Sequence, residues 1–189
     1  AGVIPSTLYG AELHKPCNKQ VMQLVTGVMS AGGIRPIGFP QSVASICLQP
    51  ASHPAFLAYS APLLRYAREV WNIMAAGPAE RATADNLTHL EMWKFWKAIT
   101  DERDLQGPLE ALHESLQFFG ISLKGPFILV DREGLESDLT AGSPTMLKQY
   151  LAGIYDQNNI ARVHTHLVER AGGQIDIDWK TVTHSLRAK

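Results

Sequence analysis

The stretch that decides the fold class is KGPFILVDREGLESDLT, residues 124–140. It contains a β-rich run, Phe127 to Val130, followed by a turn around DREG and a second short run. Gly134 supplies the positive φ angle that a tight turn can require. The stretch therefore predicts one small β-hairpin around residues 126–140. Because a lone hairpin is marginally stable in water, we expect it to pack against helices that flank it.

Upstream of the hairpin, the first helical pattern is NKQVMQLVTGVMSA, which ends at Gly32-Gly33. Its apolar residues recur at spacings of three and four, which is typical of an amphipathic helix. Asn18 is the predicted N-cap, because its side chain can accept a backbone N–H. The segment QSVASICLQP is predicted to form a short helix that Pro50 closes.

A longer helical region begins near Ser52 or Pro54 and runs through REVWNIM. Pro62 is expected to kink or split it, since proline removes a helical hydrogen bond and clashes with the preceding turn. The apolar stripe that this helix should bury consists of Leu63, Tyr66, Ala67 and Val70.

Two further helices are predicted before the hairpin. The first, in LTHLEMWKFWKAITDER, carries several large apolar side chains and two interleaved lysines. Such interleaving is seen in proteins that stack single-stranded bases, but that much aromatic surface favours a buried stripe. The second begins at Pro108 and stops at Gly120. In the first of these two helices, the side chains expected to be buried are Leu90, Trp93, Phe95 and Trp96.

Beyond the hairpin the pattern is again helical. Ser143 is the predicted N-cap of a helix whose first residue is Pro144 and which runs to Gly172. Gly153 or the Asn158-Asn159 pair is expected to break it. The sequence thus predicts a mainly α protein with helical bundle-like packing. We divide it into an N-terminal helical region at 1–76, a small and polar linker at 77–86, and a helix–hairpin–helix region at 87–189.

The bulk composition is that of a folded protein without a strong charge. Of the 189 residues, 46% are hydrophobic and 19% are charged, and the net charge at pH 7 is −1. So small a charge predicts no long-range attraction to nucleic acid or to anionic membranes. No apolar run reaches the length of a membrane span. The two cysteines, Cys17 and Cys47, favour a reducing, intracellular compartment over a disulfide scaffold.

Motifs for phosphate-binding loops and for serine hydrolases are absent from the sequence. His164 and His166 are two residues apart, which on a helix places them about 200° apart around the axis and prevents them from sharing a metal. Cys17 is predicted to be a small buried thiol. Asp176 or Asp178 is predicted to cap the last helix. We therefore expect no catalytic residue, no metal ligand and no cofactor.

Residues 8–12, Leu-Tyr-Gly-Ala-Glu, resemble the LYGxE-type motif of reverse transcriptases from non-LTR retrotransposons. There the motif follows the catalytic palm and leads into the helical thumb. Further stretches, in the same order, are similar to segments of retroelement-like polyproteins of some protists. They are HPAFLAY (53–59), GPLEALHESLQFFG (107–120), GPFILVDREG (125–134), SPTMLKQYL (143–151) and IDWKT (177–181). The resemblance covers nearly the whole chain and implies a thumb-and-connector region.

Such a region would hold a template–primer duplex by its backbone and link the polymerase to downstream domains. The family's polymerase activity depends on palm aspartates that hold two metal ions, and the chain has no Tyr-x-Asp-Asp turn. The resemblance therefore implies a part that is not itself an enzyme. Phosphate contacts require Lys or Arg side chains. The candidates are Lys15, Lys19, Arg65, Arg68, Lys148 and Arg162.

An alternative is a helical structural or interaction subunit of a larger protein assembly, derived from such an element. The near-neutral charge favours this alternative, because it departs from the basic character that a thumb usually shows. Each candidate cation also has a simpler interpretation as part of a solvated helix face.

Overall fold

The computed structural model describes residues 10–34, 46–75, 89–103, 105–174 and 176–187. The chain divides into two compact units. Unit 1 consists of Ala1–Pro16 and Ala58–Leu151, and unit 2 of Cys17–Leu57 and Ala152–Lys189. Each unit is therefore assembled from segments that are distant in sequence. The predicted linker at 77–86 lies outside the described residues, and the division into 1–76 and 87–189 stays a prediction.

The described residues are mainly helical, with one small antiparallel sheet, which confirms the predicted fold class. Among the described residues, a 3₁₀ turn at Pro50–Ser52 precedes the helix that begins at Pro54. The regular elements in chain order are α1 (Asn18–Ala31), α2 (Pro54–Ala75), α3 (His89–Thr100), α4 (Pro108–Phe119), β1 (Ser122–Gly125), β2 (Ile128–Val130), β3 (Glu136–Asp138), α5 (Pro144–Ala171) and α6 (Trp179–Arg187).

The sheet has three strands in the order β1-β2-β3, so the predicted hairpin corresponds to β2 and β3. Its turn uses Gly134 at φ 83°, as expected. The carboxylate of Asp131 accepts the N–H groups of Glu133 and Leu135, both at 2.9 Å, and fixes the turn. β1 is an additional strand that the sequence pattern did not predict. Its residues, Ser-Leu-Lys-Gly, alternate in exposure but include no β-branched or aromatic residue, and its pairing partner is β2.

Unit 1 anchors the sheet to its helices through two side-chain hydrogen bonds. The Tyr66 hydroxyl of α2 donates to the Pro126 carbonyl at 2.7 Å. The Trp96 indole N–H of α3 donates to the Leu123 carbonyl at 3.0 Å. Since both acceptors are backbone carbonyls at the β1–β2 turn or in β1, these bonds fix where the sheet lies. The predicted stripe of α2 is buried, as expected: Leu63, Tyr66, Ala67 and Val70.

Helix α2 has 22 residues and is not interrupted at Pro62, so the predicted split is wrong. An internal proline costs about 3 kcal/mol or more in an isolated helix. Here the turns on both sides of Pro62 carry buried side chains, including Ala58 and Leu63. Tertiary burial of the helix face outweighs the local penalty, because packing rather than propensity provides most helical stability in proteins.

The ends of α4 match the prediction. Pro108 occupies the first turn, and the helix stops at Gly120, whose φ of 68° is in the left-handed region. The positive φ is what favours glycine there, because a Cβ on Gly120 would meet only the flexible end of the Arg132 side chain, which can move aside.

Unit 2 contains α1, whose buried residues are Val21, Val25 and Met29. The helix ends at Gly32-Gly33 as predicted, but its N-cap is Cys17 and makes no side-chain capping bond. The prediction that Asn18 is the cap was wrong by one residue. Of the short helix predicted at 41–50, residues 41–45 lie outside the described part, and 46–48 form a turn.

Helix α5 is uninterrupted over 28 residues, so neither Gly153 nor the Asn158-Asn159 pair breaks it. Buried residues recur on both sides of these positions, and their packing outweighs the weak helix propensity of Gly and Asn. Ser143 caps the start, accepting the Met146 N–H at 3.4 Å.

Asp178 caps α6, as predicted. Its carboxylate accepts the Thr181 N–H at 3.2 Å and the Thr181 hydroxyl at 2.6 Å. These bonds, led by the hydroxyl, lower the pKa of Asp178. Within the described ranges, no helix combines the length and the apolar character needed to cross a bilayer.

Candidate functional site

The structure separates the six predicted phosphate-binding cations into two classes. Lys15 and Arg65, both in unit 1, already contact carboxylates. The Lys15 ammonium lies 2.5 Å from Glu114 and 3.7 Å from Glu110, and the bond to Glu114 is the main cause that raises the Lys15 pKa. The Arg65 Nε donates to Glu69 at 2.9 Å, one helical turn further along α2. Binding a phosphate through either residue would require breaking an ion pair.

The other four cations are exposed and form no ion pair with a carboxylate in the part of the chain that the structure describes. Arg68 on α2 and Lys148 on α5 belong to unit 1. Lys19 on α1 and Arg162 on α5 belong to unit 2. These four side chains remain available for contacts with an external anion.

Helix α3 corrects the prediction that its large apolar side chains form a buried stripe. Leu90 is 65% exposed and Trp93 is 45% exposed, whereas Met92 and Ile99 are buried instead. Phe95 and Trp96 are half-buried. Trp93 contacts Trp96 edge-to-face, with ring centroids 5.4 Å apart. The sequence pattern failed here because Met92 and Ile99, rather than the aromatic residues, define the face that packs inward.

Unit 1 also contains a groove of about 480 Å³, a volume within the range of about 300–1,000 Å³ that is usual for ligand sites. Its walls are mainly apolar, and its charged groups are Glu12, Arg65 and Glu69. The remaining lining residues are Leu13, Pro62, Tyr66, Phe95, Gln106, Pro108, Leu109 and Leu112. The groove brings together four separate segments of the sequence, which explains why no local motif predicted it.

Unit 2 contains a buried polar cluster around His53, which is 2% exposed. The Ala55 N–H donates to His53 Nδ1 at 3.2 Å, so this side chain caps the start of α2. The Tyr155 hydroxyl lies 2.8 Å from the same nitrogen. Since Nδ1 accepts a hydrogen bond from the Ala55 N–H, the neutral ring carries its own proton on Nε2. That Nε2 is buried and has no hydrogen-bond partner among the residues that the structure describes.

Burial moves the pKa values of His53 and Tyr155 away from neutral pH. It lowers the pKa of His53 to about 4, opposed by the nearby charge of Asp156. It also raises the pKa of Tyr155 to about 12. Near neutral pH both groups are therefore uncharged. The sequence signal that could have found this site is a histidine directly before the proline that opens a helix.

Asp156 is held by a bidentate ion pair with Arg187. The two guanidinium–carboxylate distances are 2.8 and 2.9 Å, and the Arg187 Nε donates to the Ile46 carbonyl at 3.1 Å. This arrangement joins α6, α5 and the turn at residue 46 within unit 2. The ion pair gives the charges of Asp156 and Arg187 a structural role. The hydrogen bonds to Asp156 raise the pKa of Arg187.

The described residues contain no cluster of three or more His, Cys, Asp or Glu side chains that could hold a metal. His164 and His166 both lie on the continuous helix α5, as predicted. Cys17 is exposed, so the prediction of a buried thiol was wrong, because the residue lies just before α1 begins. Cys47 is half-buried.

Comparison with known proteins identifies no relative of this chain. No family model matches it, and no curated protein and no solved structure is significantly similar.

Proposed function

We propose that this chain is a non-catalytic helical module of a retroelement-type reverse transcriptase, which contacts the backbone of a template–primer duplex. The phosphate contacts are made by Arg68 and Lys148 in unit 1 and by Lys19 and Arg162 in unit 2. The observation that carries the proposal is that these four predicted cations are exposed and not ion-paired among the described residues. The order of motifs described above supplies the link to the thumb and connector.

The proposal also specifies which cations do not contribute. Lys15 and Arg65 are held by Glu114 and Glu69 at 2.5 and 2.9 Å. A phosphate must compete with a carboxylate that is already in contact, and it gains less than at an exposed, unpaired cation. Binding should therefore depend on the unpaired cations and not on the paired ones.

A pair of double variants in unit 1 tests this distinction. Arg68→Gln with Lys148→Gln removes two unpaired cations, and Lys15→Gln with Arg65→Gln removes two paired cations and changes the net charge equally. Binding to a fluorescent primer–template DNA duplex is measured by anisotropy at several salt concentrations. We expect the first double variant to reduce the slope of log K against log salt by about 2, since each lost phosphate contact reduces it by about 1.

The matched control should keep the slope of the unmodified chain within experimental error. Equal loss in the two double variants would mean that general charge, not specific contact, drives binding. Unchanged slopes in both double variants would show that Arg68 and Lys148 do not contact the duplex. Either result contradicts the proposal.

A second candidate function is a helical structural or interaction subunit of a larger protein assembly. The observation in its favour is the exposed apolar surface that Leu90 and Trp93 form on α3. Exposed apolar side chains grouped on one helix face are typical of contact sites between proteins. Stable co-purification with a defined protein partner, together with no salt-dependent duplex binding, would favour this candidate over the first.

A further inference from the structure

Helix α3 presents an exposed face that is both apolar and basic. Leu90, Trp93, Lys94 and Lys97 are all exposed and follow the spacing i, i+3, i+4 and i+7, which places them on one side of the helix. Tryptophan is one of the residue types enriched at the energetic centre of protein interfaces. This face has the pattern of a helix that inserts into an apolar groove.

The groove of unit 1 has the complementary character. Its walls are apolar, through residues such as Leu13, Leu109 and Leu112, and its charged groups are two carboxylates and one guanidinium. Arg65 is ion-paired to Glu69, so Glu12 is left as the carboxylate that no described cation neutralises. The groove is therefore net negative, whereas the α3 face adds two positive charges.

We infer that the groove binds the exposed α3 face of a second copy of this chain. Trp93 and Leu90 enter the apolar groove, and Lys94 and Lys97 approach its acidic side. The occupant is a second copy because the same sequence carries both surfaces, matched in apolar character and in charge. This inference does not rest on nucleic-acid binding and goes beyond it.

A chain cannot fill its own groove in this way. Phe95 lines the groove, and Trp93 is two residues away on the same helix, so the two side chains lie about 200° apart around the axis. The exposed face of α3 therefore points away from the groove that Phe95 lines. The contact is head-to-tail between copies, and such heterologous contacts form rings or open chains rather than closed two-fold dimers.

The surfaces involved are small, so association should be weak and concentration-dependent. Sedimentation velocity or light scattering of the full chain across a wide concentration range should give an average mass that rises above the monomer. Trp93→Gln removes the inserted side chain and should weaken association by roughly 10- to 30-fold. Leu135→Gln is the control, since it removes an exposed leucine elsewhere in unit 1. At each concentration it should give the same average mass as the unmodified chain.

A mixing experiment tests the head-to-tail geometry directly. One variant, Trp93→Gln, retains the groove but lacks the inserted side chain. The other, Glu12→Lys with Leu13→Arg, retains the α3 face but has a basic, obstructed groove. We expect each variant alone to be monomeric and the mixture to form a 1:1 dimer that grows no further.

Circular dichroism of each variant establishes that it is folded before mixing. A monomeric unmodified chain at every concentration would overturn the inference, as would undiminished self-association of Trp93→Gln or a mixture that stays monomeric. None of these results would affect duplex binding through Arg68 and Lys148, so the two proposals fail separately.

Discussion

Replacing Leu129 with alanine should lower the free energy of unfolding by about 2–5 kcal/mol, the range for buried leucines that leave a cavity. Leu129 is 1% exposed and lies at the centre of β2, the middle strand of the sheet. Its backbone pairs with Leu123 on one side and with Ser137 on the other. The lost volume therefore lies in a fully buried part of unit 1. Urea unfolding followed by circular dichroism measures the change.

The matched control is Leu135→Ala, the same substitution six residues further along. Leu135 is 60% exposed in the turn of the same hairpin, so its truncation should change the free energy of unfolding by less than about 0.5 kcal/mol. Similar losses for the two variants would show that burial in the middle strand does not stabilise this sheet. Such a result would contradict the described packing.

Acidification should destabilise unit 2 through His53. The pKa of His53 is about 4 in the folded chain, against an ordinary value of 6.5. Between these values the unfolded chain binds a proton that the folded chain does not, so stability falls as the pH drops from 6.5 to 4 and is independent of this group above 6.5. The expected loss over this window is about 3 kcal/mol, at about 1.36 kcal/mol for each pKa unit.

The variant His53→Asn isolates this contribution. Asparagine is a good N-cap that can still accept the Ala55 N–H, but it does not titrate. Its unfolding free energy should be nearly flat between pH 6.5 and pH 4. His184→Asn removes an exposed histidine from the same unit and should retain the slope of the unmodified chain. A persistent slope in His53→Asn would assign the acid sensitivity to other groups.

The fold class was predictable because its signals are local. The run from Phe127 to Val130, the glycine at the turn and the Ser-Pro start of α5 each specify their own conformation within a few residues. The ends of α4 were predictable for the same reason: proline and glycine impose backbone angles that need no tertiary partner.

The errors occurred where tertiary contacts override local preference. Pro62 and Gly153 were expected to interrupt helices, yet packing of the flanking turns keeps both helices continuous. β1 was missed because Ser122–Gly125 has little strand character and forms a strand through its pairing with β2. Trp93 was expected in the core because a hydrophobic residue on a helix does not by itself indicate which face packs inward.

The candidate sites were only partly predictable. Sequence identified six cations, but it could not show that Lys15 lies against Glu114, since about 100 residues separate them. The contact between His53 and Tyr155 likewise joins residues 102 positions apart. Which cations remain unpaired, and which polar groups are buried together, depends on the assembled units.

The most direct test of the account is the salt dependence of duplex binding by the unmodified chain. Two to four phosphate contacts predict a slope of log K against log salt between about −1.8 and about −3.6. We expect measurable binding of a primer–template DNA duplex at low salt that decreases with this slope. A slope near zero, or no binding at low salt, would contradict the claim that exposed, unpaired cations of this chain hold a nucleic-acid backbone.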